Sequence, residues 1–158
     1  MFAMVECRVD PGERQPQAIC MCPTRELVVQ NLDVVRKMGK YTGIEAVGVN
    51  ELRMGRGMPA ITAQIVIGTA GRITNLISSR KLVLDSVRVL VFDEADEMMK
   101  VDGFKDTSVG MIQNVRKVSE GVQILLFSAT FGDSVKNYVT KVTLHTFFQR
   151  FRNSMVFH

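Results

Sequence analysis

The chain has 158 residues, 46% of them hydrophobic, which fits one domain with a sizeable core. No apolar run approaches the roughly 18 residues of a membrane span, and Glu6, Arg8 and Asp10 exclude a signal peptide in the first residues. A net charge of +4 and a pI near 9.1 are compatible with a nucleic-acid partner but do not establish one. An odd cysteine count suits a reducing compartment.

Apolar runs alternate with helical patterns along the chain. Residues 1–17 are mixed and polar and predict a loop. Short β-branched and aromatic runs predict buried strands at Ala18–Cys22, Ile44–Val49, Gln64–Gly68, Val87–Phe92 and Val122–Phe127. Helical patterns begin after Pro23, span Gly71–Ser79, span Asp106–Val118 with a break at Gly110, and run from Phe131 to Val142. Such alternation predicts an α/β fold with a mostly parallel sheet and flanking helices.

Two cysteines lie in the first predicted strand. Cys20 and Cys22 are two residues apart, so both side chains face the same side of the sheet. A metal site would need a second ligand pair, which the sequence does not supply. Core packing is therefore the favoured interpretation.

Acidic and hydroxyl residues follow two of the predicted strands. Asp93 and Glu94 follow Val87–Phe92, and Ser128 and Thr130 follow Val122–Phe127. Ligands of α/β sheets bind at the strand ends, and two adjacent carboxylates can divide metal binding and water activation. The alternative is an acidic cap on the following helix, where carboxylates are also favoured.

Three segments resemble the motifs of DEAD-box RNA helicases, in order and at suitable spacing. They are Pro23-Thr24-Arg25-Glu26-Leu27, Asp93-Glu94-Ala95-Asp96 and Ser128-Ala129-Thr130. The surrounding sequence segments, such as Lys37-Met38-Gly39-Lys40, are most similar to the subfamily that remodels messenger RNA at the nuclear pore, including its plant members. The resemblance covers roughly residues 5 to 142 and implies a RecA-like fold of the P-loop NTPase type.

The resemblance also implies a role for each segment. It assigns Asp93 to Mg²⁺ through water and Glu94 to the water that attacks ATP. It makes Asp96, with Ser128, Ala129 and Thr130, the link between ATP hydrolysis and strand separation. Two segments would bind the RNA backbone: Pro23, Thr24, Arg25 and Glu26, together with Thr69, Gly71 and Arg72. Ala70 stands where that second motif has proline, and the helix-cap interpretation of Ser128 or Thr130 remains open.

One element of the family is not found in this sequence. The phosphate loop Gly-x-x-x-x-Gly-Lys-Ser/Thr, which holds the nucleotide phosphates, has no match. The only Gly-Lys pair is Gly39-Lys40, and Gly39 is expected to cap the C-terminus of a helix. We therefore expect an N-terminally truncated domain whose sheet is incomplete, with a gap for the missing strand between the strands that end at Asp93 and at Ser128.

The C-terminal residues depart from the resemblance. Leu144, Phe147, Phe148 and Phe151 have the spacing of an amphipathic helix, but an altered terminus is the favoured interpretation. The expected organisation is a remnant or loop at 1–17, a partial helicase ATP-binding domain at 18–142 and a divergent tail at 143–158.

The implied function is that of an ATP-dependent RNA helicase in messenger-RNA export, of which this chain is a fragment. In the complete enzyme Mg²⁺ and ATP would bind, although no ligand is expected to bind this chain tightly. The implied partners are single-stranded or duplex RNA, a second helicase domain and export factors, and no membrane. The implied location is the cytoplasm and nucleus, including the nuclear pore. The alternative is a catalytically inactive fragment that binds RNA or a partner.

Overall fold

The computed structural model describes residues 8–53, 55, 57–119, 121–142, 148–151 and 154–157. Five parallel strands form the larger part of the sheet: β1 Ala18–Cys22, β2 Ala46–Gly48, β3 Ile65–Thr69, β4 Val89–Phe92 and β5 Gln123–Phe127. The predicted α/β class and the mostly parallel sheet are therefore confirmed. Among the described residues, no helix combines the length and apolarity that crossing a bilayer requires.

Within the described part of the chain, five α-helices flank the sheet: α1 Arg25–Met38, α2 Ala70–Ser78, α3 Ala95–Met98, α4 Phe104–Val118 and α5 Asp133–Val142. Thr24 caps α1, because its side chain accepts a hydrogen bond from the Leu27 backbone N–H at 3.2 Å. Gly39 ends α1 as predicted, and its N–H donates to the Val35 carbonyl oxygen. The predicted break at Gly110 is wrong, because α4 is continuous through that residue and packing of its neighbours on the core stabilises the helix.

The five parallel strands lie in the order β2-β3-β1-β4-β5. The expected gap between the strands that end at Asp93 and Ser128 is wrong, because β4 and β5 pair directly, from Val89 with Gln123 to Phe92 with Leu126. Each strand thus satisfies the backbone hydrogen-bonding groups of the other. The central part of the sheet is continuous.

The C-terminal segment adds two further strands to the sheet. Strands β6 Phe148–Phe151 and β7 Ser154–Phe157 pair with each other, and β7 pairs with β5, both in antiparallel fashion. The amphipathic-helix alternative is therefore wrong for residues 148–151, where pairing with a strand satisfies the backbone instead. Leu144 and Phe147, on which that alternative also depended, lie outside the described residues.

Both faces of the parallel sheet are covered by apolar side chains. On one face, strand residues such as Cys20 and Cys22 pack with Val28, Leu32 and Val35 of α1. On the other face, the core contains the apolar residues of the four remaining helices, among them Ile73, Met98, Ile112 and Tyr138. Alternate residues of each strand face opposite sides, so burial on both faces explains the near-continuous apolar runs in the sequence.

Candidate functional site

The predicted functional segments meet along one edge of the sheet. Because the five strands are parallel, their carboxyl ends lie at the same edge. Thr69 ends β3, Pro23 follows β1, Asp93 follows β4 and Ser128 follows β5. In the order of the strands, the site therefore runs from Thr69 through Pro23 and Asp93 to Ser128.

The acidic pair is held by its backbone and by one side chain of α1. The Asp93 N–H donates to the Met21 carbonyl oxygen at 2.9 Å, which extends the β1–β4 pairing by one residue. The Asn31 side-chain amide donates to Asp93 Oδ2 at 2.7 Å. Asp93 is half-buried, whereas Glu94 is exposed.

Glu94 has a left-handed backbone conformation, with φ 53° and ψ 52°. For a residue with a Cβ this conformation costs about 1–3 kcal/mol and is typical of functional sites. Glu94 precedes α3, yet its side chain makes no capping hydrogen bond to that helix. No hydrogen bond from Glu94 therefore supports the alternative that this residue caps α3.

The donor set at this edge fits Mg²⁺. Among the described residues there is no group of three or more His, Cys, Asp or Glu side chains that would enclose a metal ion. Mg²⁺ rarely uses such a cage, since it keeps several waters and is bound by one or two carboxylates together with substrate phosphates. Asp93 would hold the ion and Glu94 would lie beside it. The residues that would hold the ATP phosphates are not in this sequence.

Asp96 and Thr130 connect the acidic segment to the segment after β5. The Thr130 backbone N–H and side-chain hydroxyl both donate to Asp96 Oδ2, at 3.1 Å and 2.8 Å. The Ser128 hydroxyl donates to the Thr130 carbonyl oxygen at 2.6 Å, while Ala129 is exposed. Burial acts to raise the pKa of Asp96, but hydrogen bonding, first of all by Thr130, outweighs it, so the pKa is lowered from its usual value.

The lowered pKa of Asp96 predicts a pH-dependent contribution to stability. A carboxylate with a lowered pKa in the folded chain stabilises it above the unfolded-state pKa of about 3.9, and this stabilisation is lost as the pH falls through the folded-state pKa. We expect the difference in free energy of unfolding between wild type and Asp96→Asn to shrink on acidification from about pH 5. Urea denaturation at successive pH values measures this difference in free energy of unfolding. Thr130→Val, which removes one donor, should lose part of the same pH-dependent stability; a difference independent of pH would contradict the assignment.

The segment after β1 presents the N-terminus of α1. Thr24, Arg25 and Glu26 are exposed there. A helix N-terminus carries a partial positive charge and N–H donors that suit a phosphate group, and the Arg25 guanidinium would add a charge-assisted contact. The Asn50 side-chain amide makes a long hydrogen bond of 3.5 Å to the Arg25 carbonyl oxygen, which joins this N-terminus to the turn after β2.

The segment after β3 adds further donors at the same edge. Thr69 precedes α2 but its side chain makes no capping hydrogen bond. A Cβ at Gly71 would meet no atom within 4 Å, so open space lies beside that residue. Arg72 is half-buried, and its Nε is a buried donor without a partner among the described residues. A bound phosphate could accept from these groups.

The two cysteines lie behind the site. Cys20 and Cys22 are buried with their sulfur atoms 4.0 Å apart, so the prediction that they share one side is confirmed. The neighbouring Cys22 thiol and burial raise the pKa of the Cys20 thiol well above its usual value. A buried thiol that resists ionisation is a poor nucleophile, which agrees with core packing against α1.

Two features of this site were not predicted from the sequence. The contact between Asn31 and Asp93 joins residues 62 positions apart, and no local pattern predicts it. One signal was present: Asn31 is a polar residue within the apolar stripe of Val28, Leu32 and Val35. The left-handed conformation of Glu94 has no signal in its residue type.

A parallel sheet with flanking helices and with carboxylates and hydroxyls along its carboxyl edge defines the class of α/β nucleotide-binding domains. Within that class, the family described as DEAD/DEAH box helicase matches residues 1–138. The chain belongs to the DEAD/DEAH box helicase family.

Curated relatives of the chain are RNA helicases by name. DEAD-box ATP-dependent RNA helicase 38 of Arabidopsis thaliana is 46% identical over 143 residues, which cover 85% of this chain and 28% of that protein. ATP-dependent RNA helicase DBP5 of Candida albicans is 40% identical over 136 residues, covering 85% of this chain and 24% of that protein. The chain thus spans about a quarter of the length of these relatives.

Solved structures of the family share the fold. A Saccharomyces cerevisiae Dbp5 variant bound to Gle1 and IP6 superposes with a TM-score of 0.81 at 34% identity, covering 91% of this chain and 36% of that one. Yeast Dbp5 bound to RNA and ADP BeF3 gives a TM-score of 0.76 at 35% identity, covering 89% of this chain and 36% of that one. The prediction of a RecA-like DEAD-box domain is confirmed.

Proposed function

We propose that this chain is part of the first RecA-like domain of an ATP-dependent RNA helicase that remodels messenger RNA for export. The observation that carries the proposal is the pair of hydrogen bonds from Thr130 to Asp96, which joins the acidic segment to the segment after β5. Asp93 would hold Mg²⁺ through water, Glu94 would orient the attacking water, and the contact between Asp96 and Thr130 would link hydrolysis to strand separation. In the assembled enzyme Mg²⁺ would neutralise charge on the ATP phosphates.

The same proposal extends to partners and location. Yeast Dbp5 structures are described as bound to RNA and ADP BeF3, and as bound to Nup159, Gle1, IP6 and ADP. By similarity, we propose that the complete protein binds RNA, a second helicase domain and export factors of this kind. Its location would be the cytoplasm and nucleus, including the nuclear pore.

Exchange of one segment tests the proposed activity. Residues 18–142 would replace the matching segment of the Arabidopsis helicase 38, which supplies the remaining helicase elements. We expect the chimaeric protein to hydrolyse ATP and to do so faster with single-stranded RNA. A chimaera that is folded by circular dichroism but shows no ATPase activity with RNA would overturn the proposal.

Binding of RNA by the chain itself provides a second test. The groups offered by Thr24, Arg25, Thr69 and Arg72 suit phosphate rather than bases, so binding is expected to be weak, independent of sequence and weakened by salt. Arg25→Ala should reduce the slope of log K against log salt by about 0.7, the value for one phosphate contact of a single strand. Fluorescence anisotropy with two unrelated single strands measures both effects.

Lys37→Ala is the matched control for this experiment. Lys37 is exposed in the last turn of α1, at the opposite end of the helix from Arg25. Its replacement should leave the salt slope unchanged. A strong preference for one of the two strands, or equal effects of the two replacements, would contradict the proposed RNA face.

A second candidate function is a catalytically inactive fragment that binds RNA or a partner. The observation that favours it is the lack of a phosphate-loop sequence among these 158 residues. The two candidates share the RNA face and differ in hydrolysis. If the chimaera hydrolyses ATP but the chain alone does not, only the isolated chain is catalytically inactive.

A further inference from the structure

The Asn31 side chain joins the proposed RNA face to the proposed metal site. Asn31 lies on α1, two turns beyond the Thr24 cap, and its amide nitrogen is 2.7 Å from Asp93 Oδ2 and 3.3 Å from Cys22 Sγ. We propose that Asn31 is a positioning residue that fixes the Asp93 carboxylate for a divalent cation and couples it to RNA bound at the start of α1. This inference rests on the proposed function.

The burial of Asn31 requires these hydrogen bonds. Asn31 is only 8% exposed, on the face of α1 that packs against the sheet. A buried amide without partners costs a few kcal/mol, and an apolar residue would suit the neighbouring Val28 and Leu32 better. Only the amide N–H₂ group can donate to an ionised carboxylate, so the contact fixes the orientation of the Asn31 side chain. The amide nitrogen donates to both the Asp93 carboxylate and the Cys22 sulfur.

The contact leaves Asp93 oriented but still able to bind a cation. Asn31 holds Oδ2, so rotation of the carboxylate is restricted. The second oxygen of the half-buried Asp93 would then be the one offered to a metal-bound water. Loss of the hydrogen-bonding partner of a metal-ligating side chain typically lowers metal affinity by about 10–100-fold, and a loss in the same direction is expected for a carboxylate that would hold the ion through water. Because Asn31 and the Thr24 cap belong to one helix, displacement of α1 by bound RNA would be transmitted to Asp93.

The first experiment measures binding of Mn²⁺ to the full chain by electron paramagnetic resonance of the free ion. Asn31→Leu keeps the branched arrangement of the side chain but replaces the amide by larger methyl groups and so removes the donor, and we expect it to weaken Mn²⁺ binding by about 10-fold or more. Cys22→Ala removes only the sulfur partner of Asn31 and should leave the affinity for Mn²⁺ within about twofold of wild type, well below the loss expected for Asn31→Leu. Asn75→Leu, at an exposed position of α2, is the control for a replaced helical asparagine. Circular dichroism verifies that each variant is folded.

The outcomes separate this inference from the proposed function. Mn²⁺ binding to the wild-type chain is expected to be weak, so the ion is titrated into the millimolar range. Asp93→Asn should abolish this binding; if it does not, or if the wild type binds no Mn²⁺ even there, the metal role of Asp93 fails and the inference fails with it. If Asp93→Asn abolishes binding while a folded Asn31→Leu binds as wild type does, the positioning role is overturned and the metal site stands. If Asn31→Leu does not fold, Asn31→Ser, which removes the amide with a smaller change, replaces it in the same comparison.

The second experiment tests the coupling by nuclear magnetic resonance. A uridine decamer added to the full chain should shift the backbone amide signals of Arg25 and Asp93 and the side-chain amide signal of Asn31. In Asn31→Leu the Arg25 shift should persist while the Asp93 shift is lost. A wild-type chain in which RNA shifts Arg25 but leaves Asp93 unmoved would overturn the coupling, and a lack of any shift at Arg25 would count against the proposed RNA face.

Discussion

Glu94→Gln in the chimaeric helicase is expected to lower the rate of ATP hydrolysis by about 10²–10⁴-fold, with binding of ATP and Mg²⁺ retained. Gln has the size of Glu and can adopt the same backbone conformation, but its amide cannot take up a proton from the attacking water. Glu94 is exposed at the carboxyl end of β4 and makes no capping hydrogen bond to α3. Its carboxylate can therefore serve a ligand instead of the helix.

Steady-state ATPase assays at saturating RNA measure the loss, and fluorescent-nucleotide titration measures binding. The matched control is Glu97→Gln, an exposed carboxylate of the same short helix that pairs with Lys100 at 2.6 Å. A surface pair of this kind contributes about 0–1 kcal/mol, so hydrolysis should be nearly unchanged. Near-normal ATPase activity of Glu94→Gln would refute the catalytic assignment and leave the acidic segment as a structural helix start.

Phe92→Ala is expected to destabilise the chain by about 3–5 kcal/mol, the usual range for a fully buried phenylalanine. Phe92 is inaccessible to solvent and makes edge-on contacts with Phe104 and Tyr138, with ring centroids 6.2 Å away in both cases. Its removal leaves a cavity between the end of β4 and helices α4 and α5. Such a loss is a large part of the 5–15 kcal/mol by which domains are typically stable.

Urea denaturation followed by circular dichroism measures the change in free energy of unfolding. Val34→Ala on α1 provides the control, because Val34 is 43% exposed and surface replacements usually change stability by within about 0.5 kcal/mol. A loss below about 1 kcal/mol for Phe92→Ala would show that the aromatic cluster is not a main support of the site. Since Phe92 immediately precedes Asp93, the variant also tests whether the core behind the acidic pair is needed for Mn²⁺ binding.

The sequence predicted the elements of this fold because their signals are local. Buried strands leave apolar runs, as at Ala18–Cys22, and amphipathic helices leave a stripe of apolar residues, as in α1. Gly39 at the end of that helix was also predictable, since glycine is favoured at such positions. The ends of the elements were predicted less exactly: the second strand was predicted at Ile44–Val49 and is Ala46–Gly48. Packing and turn geometry, which the local pattern does not contain, decide where strand pairing stops.

The family motifs also placed the site at the carboxyl edge of the sheet. Parallel strands bring their carboxyl ends together whatever their order, so Asp93 and Ser128 could be assigned to one edge from the sequence. The order itself was not predictable: a gap was expected between β4 and β5, yet the two strands pair directly. Strand order depends on which pairs of distant strands pack and hydrogen-bond most favourably. A local stretch of sequence does not contain both members of such a pair.

Tertiary structure alone decided the details of the candidate site. The left-handed backbone of Glu94 arises from the turn between β4 and α3, not from its residue type. The contact between Asn31 and Asp93 requires α1 to lie against the β1–β4 pair, and the contact between Thr130 and Asp96 requires β5 to lie beside β4. The sequence by itself determined the kinds of residues and the edge at which they gather; packing of distant segments determined which of their atoms touch, because those contacts depend on distances that local periodicity does not encode.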